Sequence, residues 1–440
     1  MQNNKKAEIF YEIQDAVAFN MPVSSNSPFY TDLTPYRKDF TEKKIFKHLN
    51  INPNNNNCTP LDNHKKVFLT GYRGTGKTSE LLRLKSEIDK THCYFTLFVD
   101  IANGDLDTNN IETVDVFILM IHELLNELQN RKADIKNETI TDFFDFYKST
   151  IVEESNKKLE GSAQIESSVE LKTGLLGFIK LISNTKAKLK GSDESKTTIR
   201  REINNNFSLF SDRLNEFLAS LTTQLRGAKN RYEDILFIVD GFEKIGSLKD
   251  RKKILIDDSN KLTIINTHMI ITLPIELFTQ QSRLGHFAVS ENFPLIDLNK
   301  EGAKERFKEF ITKRVDEKLF EDGAIDKIIE YGAGHPRQTL HIINRAYIES
   351  EEELITIDSV IKAIEILGNE LSKIDEKEIK ILRSIYNKKI IPQDGTYITL
   401  KEKNIIFEYG SSTTDSFINP VVKENKDIKK LLNSIDNVRE

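Results

Sequence analysis

Lys66-Val-Phe-Leu-Thr-Gly71-Tyr-Arg-Gly74-Thr-Gly76-Lys77-Thr78 is the stretch that decides how this chain folds. A short apolar run enters Gly71-x-x-x-x-Gly76-Lys77-Thr78, and Ser79-Glu-Leu-Leu-Arg-Leu-Lys leaves it with helical character. Gly71, Gly74 and Gly76 let the backbone curl, so that successive N–H groups aim at one cluster of phosphate oxygens. Lys77 brings a mobile positive charge to β- and γ-phosphates, and the Thr78 hydroxyl is a ligand for Mg²⁺. The helix that follows points the positive end of its dipole at the same anion. The expected nucleotide site is therefore Gly71, Tyr72, Arg73, Gly74, Thr75, Gly76, Lys77, Thr78 and Ser79, with ATP and Mg²⁺ as its cofactors.

Composition sets the limits around that loop. A chain of 440 residues holds two to four structural units, and 38% hydrophobic with 30% charged residues describes a soluble, rather charged protein. Cys58 and Cys93, the two cysteines, cannot make a disulfide framework and suggest a reducing, cytoplasmic setting. No apolar segment follows Met1-Gln-Asn-Asn-Lys-Lys-Ala-Glu, so no signal peptide is expected. Away from the expected strands, the longest apolar stretch begins at Gly174 and is too short to span a bilayer, so no membrane partner is expected. A net charge of −5 argues against general polyanion binding, although a local basic face can hide within it.

Five β-like runs alternate with helical patterns: Val67–Thr70, Cys93–Ile101, Ile235–Val239, His268–Leu273 and Phe293–Leu298. Such alternation implies a mostly parallel sheet wrapped by helices. The path from Thr78 to Ile235 is longer than a compact βαβαβ unit needs, so residues of about 128–200 read as a helical insertion. That polar segment is either solvated decoration or a partner-binding or oligomer-facing surface. Helices are expected at Ile140–Tyr147 and Arg200–Leu218. The divisions expected are an N-terminal segment at 1–62, a core at 63–300, a helical lid at 301–372 and a small module at 373–440. In the last, a helix over Glu376–Tyr386 and extended runs at Thr396–Leu400 and Asn404–Tyr409 read as winged-helix-like.

Hydrolysis of a phosphoanhydride needs one carboxylate to hold the metal's water shell and another to polarise the attacking water. Ile235-Leu-Phe-Ile-Val-Asp240-Gly-Phe-Glu243 offers both at the end of an apolar strand. Asp240 is the metal-side candidate, although Asp-Gly is also a good turn pair. Glu243 is the candidate base, or an acid bonded elsewhere. Thr272 ends the fourth run, where a hydroxyl can face the γ-phosphate, and Thr is also an ordinary strand residue. Arg283 in Gln281-Ser-Arg-Leu-Gly is a candidate finger acting in trans, or a solvated arginine. Gly334-His-Pro-Arg337 opens a lid helix, from which Arg337 can reach the phosphates. Neither His nor Cys shows metal-ligand spacing, so no structural zinc is expected.

With these residues in order, the chain resembles the AAA+ and STAND branches of the P-loop ATPases. Gly71-Tyr-Arg-Gly-Thr-Gly-Lys-Thr-Ser-Glu-Leu is similar to a bacterial group with Gly-x-Arg-Gly-Ser-Gly-Lys-Ser-Thr-Glu-Leu there. Pro28-Phe-Tyr-Thr-Asp-Leu, Ile406-Phe-Glu-Tyr and Asn419-Pro-Val-Val also look like that group. The resemblance covers nearly the whole chain except residues 130–195. It implies an α/β fold: an ASCE-type P-loop NTPase parallel-sheet core with a helical insertion, a helical lid and a C-terminal winged-helix-like domain. It also implies a signal-transduction ATPase acting as a switch, and many bacterial members of that branch serve in defence against phage. Such proteins usually carry a repeat array or fused effector, whereas this sequence ends at about the winged helix. A separately encoded effector protein and a homo- or hetero-oligomer are the expected partners. The alternative is a DNA-associated loader or transposition-helper ATPase, for which Lys373–Lys389 and Lys401–Lys403 supply basic residues.

Overall fold

The computed structural model describes residues 5–18, 21–54, 57–59, 61, 63–103, 106–159, 174–227, 231–278, 288–370, 374–387, 395–410 and 415–436. Its centre is a five-stranded sheet of β1 (Lys66–Thr70), β2 (Tyr94–Asp100), β3 (Asp234–Asp240), β4 (His268–Leu273) and β5 (Ala288–Asn292). The strand order is β2-β3-β4-β1-β5. β2 and β3 pair in parallel from Tyr94–Asp234 to Asp100–Asp240, and β3 and β4 from Leu236–His268 to Val239–Ile271. A strand, β4, thus stands between the loop-bearing β1 and the Asp240-bearing β3, which is the order of an ASCE-type P-loop ATPase core. The described residues of β1, β3 and β4 are buried almost throughout, as expected of strands covered on both faces.

The chain packs into two compact units built from interleaved segments. One comprises residues 43–69 and 84–290, with a core where Phe95, Leu97, Phe237 and Met269 meet helical side chains. The segment expected as a possible solvated decoration forms part of that core. α2 (Thr113–Asn130), α3 (Asn137–Phe146), α4 (Leu175–Lys190) and α5 (Asp193–Asn205) contribute Phe117, Phe143, Phe144, Phe178, Leu181 and Ile203, and α6 (Phe207–Leu225) adds Phe210 and Phe217. Residues 160–173 of this segment lie outside the described residues. Arg200 on α5, buried, donates to Asp115 of α2 and to Asn110, fastening the insertion to the connection after β2.

The other unit comprises 1–42, 70–83 and 291–440. α7 (Ala303–Thr312), α8 (Ala324–Gly332), α9 (Pro336–Glu349) and α10 (Ile357–Glu370) share a core with Phe10, Ile13 and Phe29 of the N-terminal segment. A second cluster holds α11 (Glu376–Tyr386), α12 (Gly395–Glu402), the antiparallel hairpin β6–β7 (Ile406–Glu408, Ser416–Ile418), α13 (Pro420–Lys423) and α14 (Lys426–Asp436).

Three expectations change. The fifth strand is residues 288–292, and Phe293–Leu298 is no strand: it makes one isolated bridge, Ile296 to Arg37. Its apolar character comes from burial of Phe293, Leu295 and Ile296, and Pro294 lacks the amide a ladder would use. Thr396–Leu400 is helical, because Tyr397, Ile398 and Leu400 are drawn into the module's core and packing outweighs β-propensity. Cys58 and Cys93 are joined as a disulfide with Cα atoms 5.8 Å apart, so they are one cross-link and not two free thiols.

Replacing Arg200 with Ala leaves Asp115 buried without its partner. The expected loss is about 3–5 kcal/mol, read from the urea midpoint; an unchanged midpoint would show that the pair does not anchor the insertion.

Candidate nucleotide-binding site

The loop leaves β1 at Thr70, whose carbonyl accepts the Phe293 amide at 2.6 Å. Gly74 and Gly76 have φ of 94° and 93°, a region that side chains strongly disfavour. Gly74 is also crowded: a Cβ there would sit 2.8 Å from Cβ of Arg337 and 2.8 Å from Cε1 of His335. Gly71 needs its missing side chain for a different reason, the close approach of the Phe293 carbonyl. Lys77 is 4% exposed and its ammonium donates to the loop's own Gly71 and Tyr72 carbonyls, both at 2.9 Å. The ammonium is thereby held within the curl of the loop. Thr78 and Ser79 open α1 (Lys77–Thr91), and the Ser79 hydroxyl accepts the Val23 amide at 2.9 Å.

The sequence Gly334-His335-Pro336-Arg337 lies against this loop. The Arg337 amide donates to the Gly74 carbonyl at 3.2 Å. His335 caps α9: its Nδ1 accepts the Gln338 amide at 3.1 Å, so the proton of the neutral ring belongs to Nε2, which donates to the Arg73 carbonyl at 3.0 Å. Burial, and next the Arg337 charge, push this imidazole down to about 3. On its other side His335 stacks on Phe407 of β6 (5.4 Å, 24°), and Phe407 meets Tyr72 of the loop edge-on at 5.6 Å. Gln338 then exchanges two amide hydrogen bonds with Asn419, at 3.0 and 2.8 Å.

Sequence reasoning missed Arg37 of this unit and the bonds that His335 makes. Arg37, 5% exposed, donates to the Thr75 carbonyl at 2.7 Å and to the Pro294 carbonyl, with its guanidinium 3.7 Å from the Phe293 ring centre. Its only sequence signal is Pro35-Tyr-Arg37 beside the Pro28-Phe-Tyr-Thr-Asp-Leu motif. His335 was legible as part of a helix-opening motif, but its two bonds were not. A cavity of about 160 Å³ lies beside α1, lined by Ala16, Met21, Val23, Phe29, Leu82 and Arg314.

In the other unit Asp240 ends β3, 1% exposed, and Gly241 turns the chain at φ 101° into the short helix Phe242–Lys244 that carries Glu243. One buried oxygen of Glu243 and the fully buried hydroxyl of Thr272 at the end of β4 have no hydrogen-bond partner among the described residues. Parallel register places Thr272 one step beyond the Val239–Ile271 pair, beside Asp240. Buried polar atoms without partners are uncommon and mark places where water, an ion or a ligand belongs. Hard oxygen donors such as Thr78 and Asp240 suit Mg²⁺. Arg283 lies outside the described residues.

At the amino end of the sheet, His64, Asp234 and His268 bring ligand atoms within 4.8 Å of one another, a grouping hidden by their separation in sequence. Nδ1 of His268 accepts the Lys65 amide at 3.1 Å. The proton of the neutral ring is therefore on Nε2, which faces Asp234 at 3.4 Å, and the lone pair a metal would require is not available.

Searches against protein-family models and against curated proteins find no match. Among solved structures, the chain is similar to a Walker-type ATPase of Pyrococcus abyssi at 14% identity, covering 95% of this chain and 99% of that one with a TM-score of 0.42. It is also similar to Cdc6p from Pyrobaculum aerophilum (12%, 94% and 100%, TM-score 0.35) and to Drosophila ORC bound to DNA (10%, 98% and 93%, TM-score 0.36). Likenesses this distant carry no weight of their own. The loop, the strand order and the buried Asp240 do.

His335 sets a pH dependence. Above about pH 6.5 an imidazole is neutral folded or unfolded. As pH falls toward about 3 the unfolded chain takes up a proton that folded His335 refuses, so stability declines across that window. A His335→Gln variant should start less stable but lose less between pH 6 and 4, by up to roughly 1.4 kcal/mol per pH unit in urea unfolding. Identical slopes for the two proteins would discard this role.

Proposed function

We propose that this chain is an AAA+/STAND-like switch ATPase: it binds ATP with Mg²⁺ at Gly71–Ser79, hydrolyses it, and governs a separately encoded partner protein as part of a homo- or hetero-oligomer. The observation that carries the switch is a continuous chain of contacts from the phosphate loop to the C-terminal module. It runs from the Arg73 carbonyl through His335 and Gln338 to Asn419, with Tyr72 and Phe407 beside it. Lys77 is bonded to the carbonyls of Gly71 and Tyr72, which a triphosphate would compete to replace. Drawing the ammonium away removes one of the bonds on the Tyr72 carbonyl, which the Thr75 hydroxyl also reaches at 3.0 Å, and Tyr72 is the residue that touches Phe407.

The remaining roles follow from residue chemistry. Mg²⁺ would supply charge neutralisation between the phosphates, with Thr78 and Asp240 as its protein-side oxygens. Glu243 takes the proton of the attacking water, Thr272 offers its hydroxyl to the terminal phosphate, and Arg337 adds positive charge from the lid. Arg283 is the candidate to act on a neighbouring subunit's nucleotide. The cavity beside Leu82 and Arg314 is small for a whole ligand, since drug-sized sites begin near roughly 300 Å³, and suits the base alone. Bacterial anti-phage defence is the setting the resemblance suggests.

Binding and chemistry separate by mutation. Lys77→Ala should weaken ATP binding at least about tenfold, or roughly 1.4 kcal/mol, in a direct titration. Glu243→Gln should bind ATP normally and turn over about 10²-fold more slowly. Undiminished affinity in the first would remove the nucleotide site, and undiminished turnover in the second would move the base elsewhere.

The relay is tested by hydrogen exchange. ATP should change exchange at residues 404–423 in the native protein; Gln338→Ala should keep ATP affinity within about threefold, under 1 kcal/mol, and lose that response. A response that survives the substitution would show that the module is not reached through Gln338.

A further inference from the structure

The bond between Cys58 and Cys93 closes a covalent ring, and the ring encloses β1, the phosphate loop and α1. Cys58 ends a small hairpin (Ile51–Asn52 with Asn57–Cys58), and Cys93 immediately precedes β2. We propose that this bond is a reversible redox staple on the phosphate-loop segment, formed when the surroundings oxidise and opened when they reduce. Disulfides in reducing compartments are usually transient or redox-sensing, which reconciles a two-cysteine chain with a bonded pair.

The geometry supports exchange at one sulfur. Cys58 is partly exposed and Cys93 is 2% exposed, so an incoming thiolate meets Cys58 and expels Cys93. The Cα separation of 5.8 Å lies within the ordinary range for the bond. Oxidation uses a small-molecule disulfide, RSSR. The Cys58 thiolate attacks one of its sulfurs and releases RS⁻; the Cys93 thiolate then attacks Cys58 Sγ and releases the second RS⁻. Two protein thiols are oxidised, one RSSR is reduced to two RSH, and reduction by thiols runs the same steps backward.

Reduction leaves the fold standing. Bonds independent of the sulfurs flank the disulfide: the Tyr94 hydroxyl donates to the Leu49 carbonyl at 2.7 Å, and the Cys93 carbonyl accepts the Glu233 amide at 2.9 Å. What changes is the ensemble reached when the segment opens, because a closed ring has fewer open conformations than a free chain. The staple therefore sets how often residues 63–91 open and leaves the folded loop's affinity for ATP alone.

The test equilibrates the full chain in glutathione buffers from reducing to oxidising, traps free thiols by alkylation for mass analysis, and follows hydrogen exchange over residues 63–91. Expected are a ring that forms as the buffer oxidises, exchange about tenfold or more faster after reduction, and equal ATP affinity in both states. Cys58→Ser and Cys93→Ser should each exchange at the reduced rate in every buffer. Thiols that stay alkylatable under oxidation, glutathione accumulating on Cys58 without ring closure, or exchange indifferent to the bond would each overturn the staple. A several-fold change in ATP affinity between the two states would overturn its assignment to opening.

Discussion

A neutral imidazole with one nitrogen accepting and the other donating has a single workable orientation, and His335 is held in it from both sides. Its Nδ1 completes the start of α9, and its Nε2–H satisfies a carbonyl of the phosphate loop. The Nδ1 bond does not tolerate the charged ring, since protonated Nδ1 could no longer accept, whereas Nε2–H donates to Arg73 in either form. The Cβ-free Gly74 permits the approach, and Pro336 fixes the helix start. The Arg73 carbonyl of the loop and the start of α9, with Gln338 bonded to Asn419, meet at that one neutral, buried ring.

Both ends of the sheet bury polar groups, and each leaves some of them short of a hydrogen bond. At the amino end the Lys65 amide fills Nδ1 of His268 and Lys66 gives its ammonium to the Ile265 and Thr267 carbonyls, while Nε2 of His268 faces Asp234 at 3.4 Å without a hydrogen bond. At the carboxyl end, an oxygen of Glu243 and the Thr272 hydroxyl are left without partners among the described residues. Unsatisfied burial costs about 1–3 kcal/mol per group, a cost that persists where a ligand or ordered water completes the set.

What the residues disclosed in advance was local. The loop, α1, four of the five strands and α11 could be read because a periodic pattern or a phosphate motif lies within a few positions. Phe293–Leu298 and Thr396–Leu400 misled for one shared reason: their apolar content records burial, and burial does not specify backbone shape. Arg37 under the loop, His335 on Arg73 and the His64–Asp234–His268 group join residues distant in the chain, and nothing local announces them. The insertion reads as helical, but the Phe143, Phe144 and Phe178 rings that seat it are hidden among its polar surface residues.

The interleaving of the two units constrains how the protein is made. Residues 70–83 belong to the same compact unit as 291–440, while residues 43–69 and 84–290 form the other. On the ribosome the phosphate loop therefore emerges long before the helices it packs against, and the intervening sheet and insertion can fold first. Until those helices are made, the loop has only the N-terminal segment of its own unit to pack against, through Arg37 and Val23. A chain that ended before residue 291 would therefore lack the larger part of the unit that holds residues 70–83.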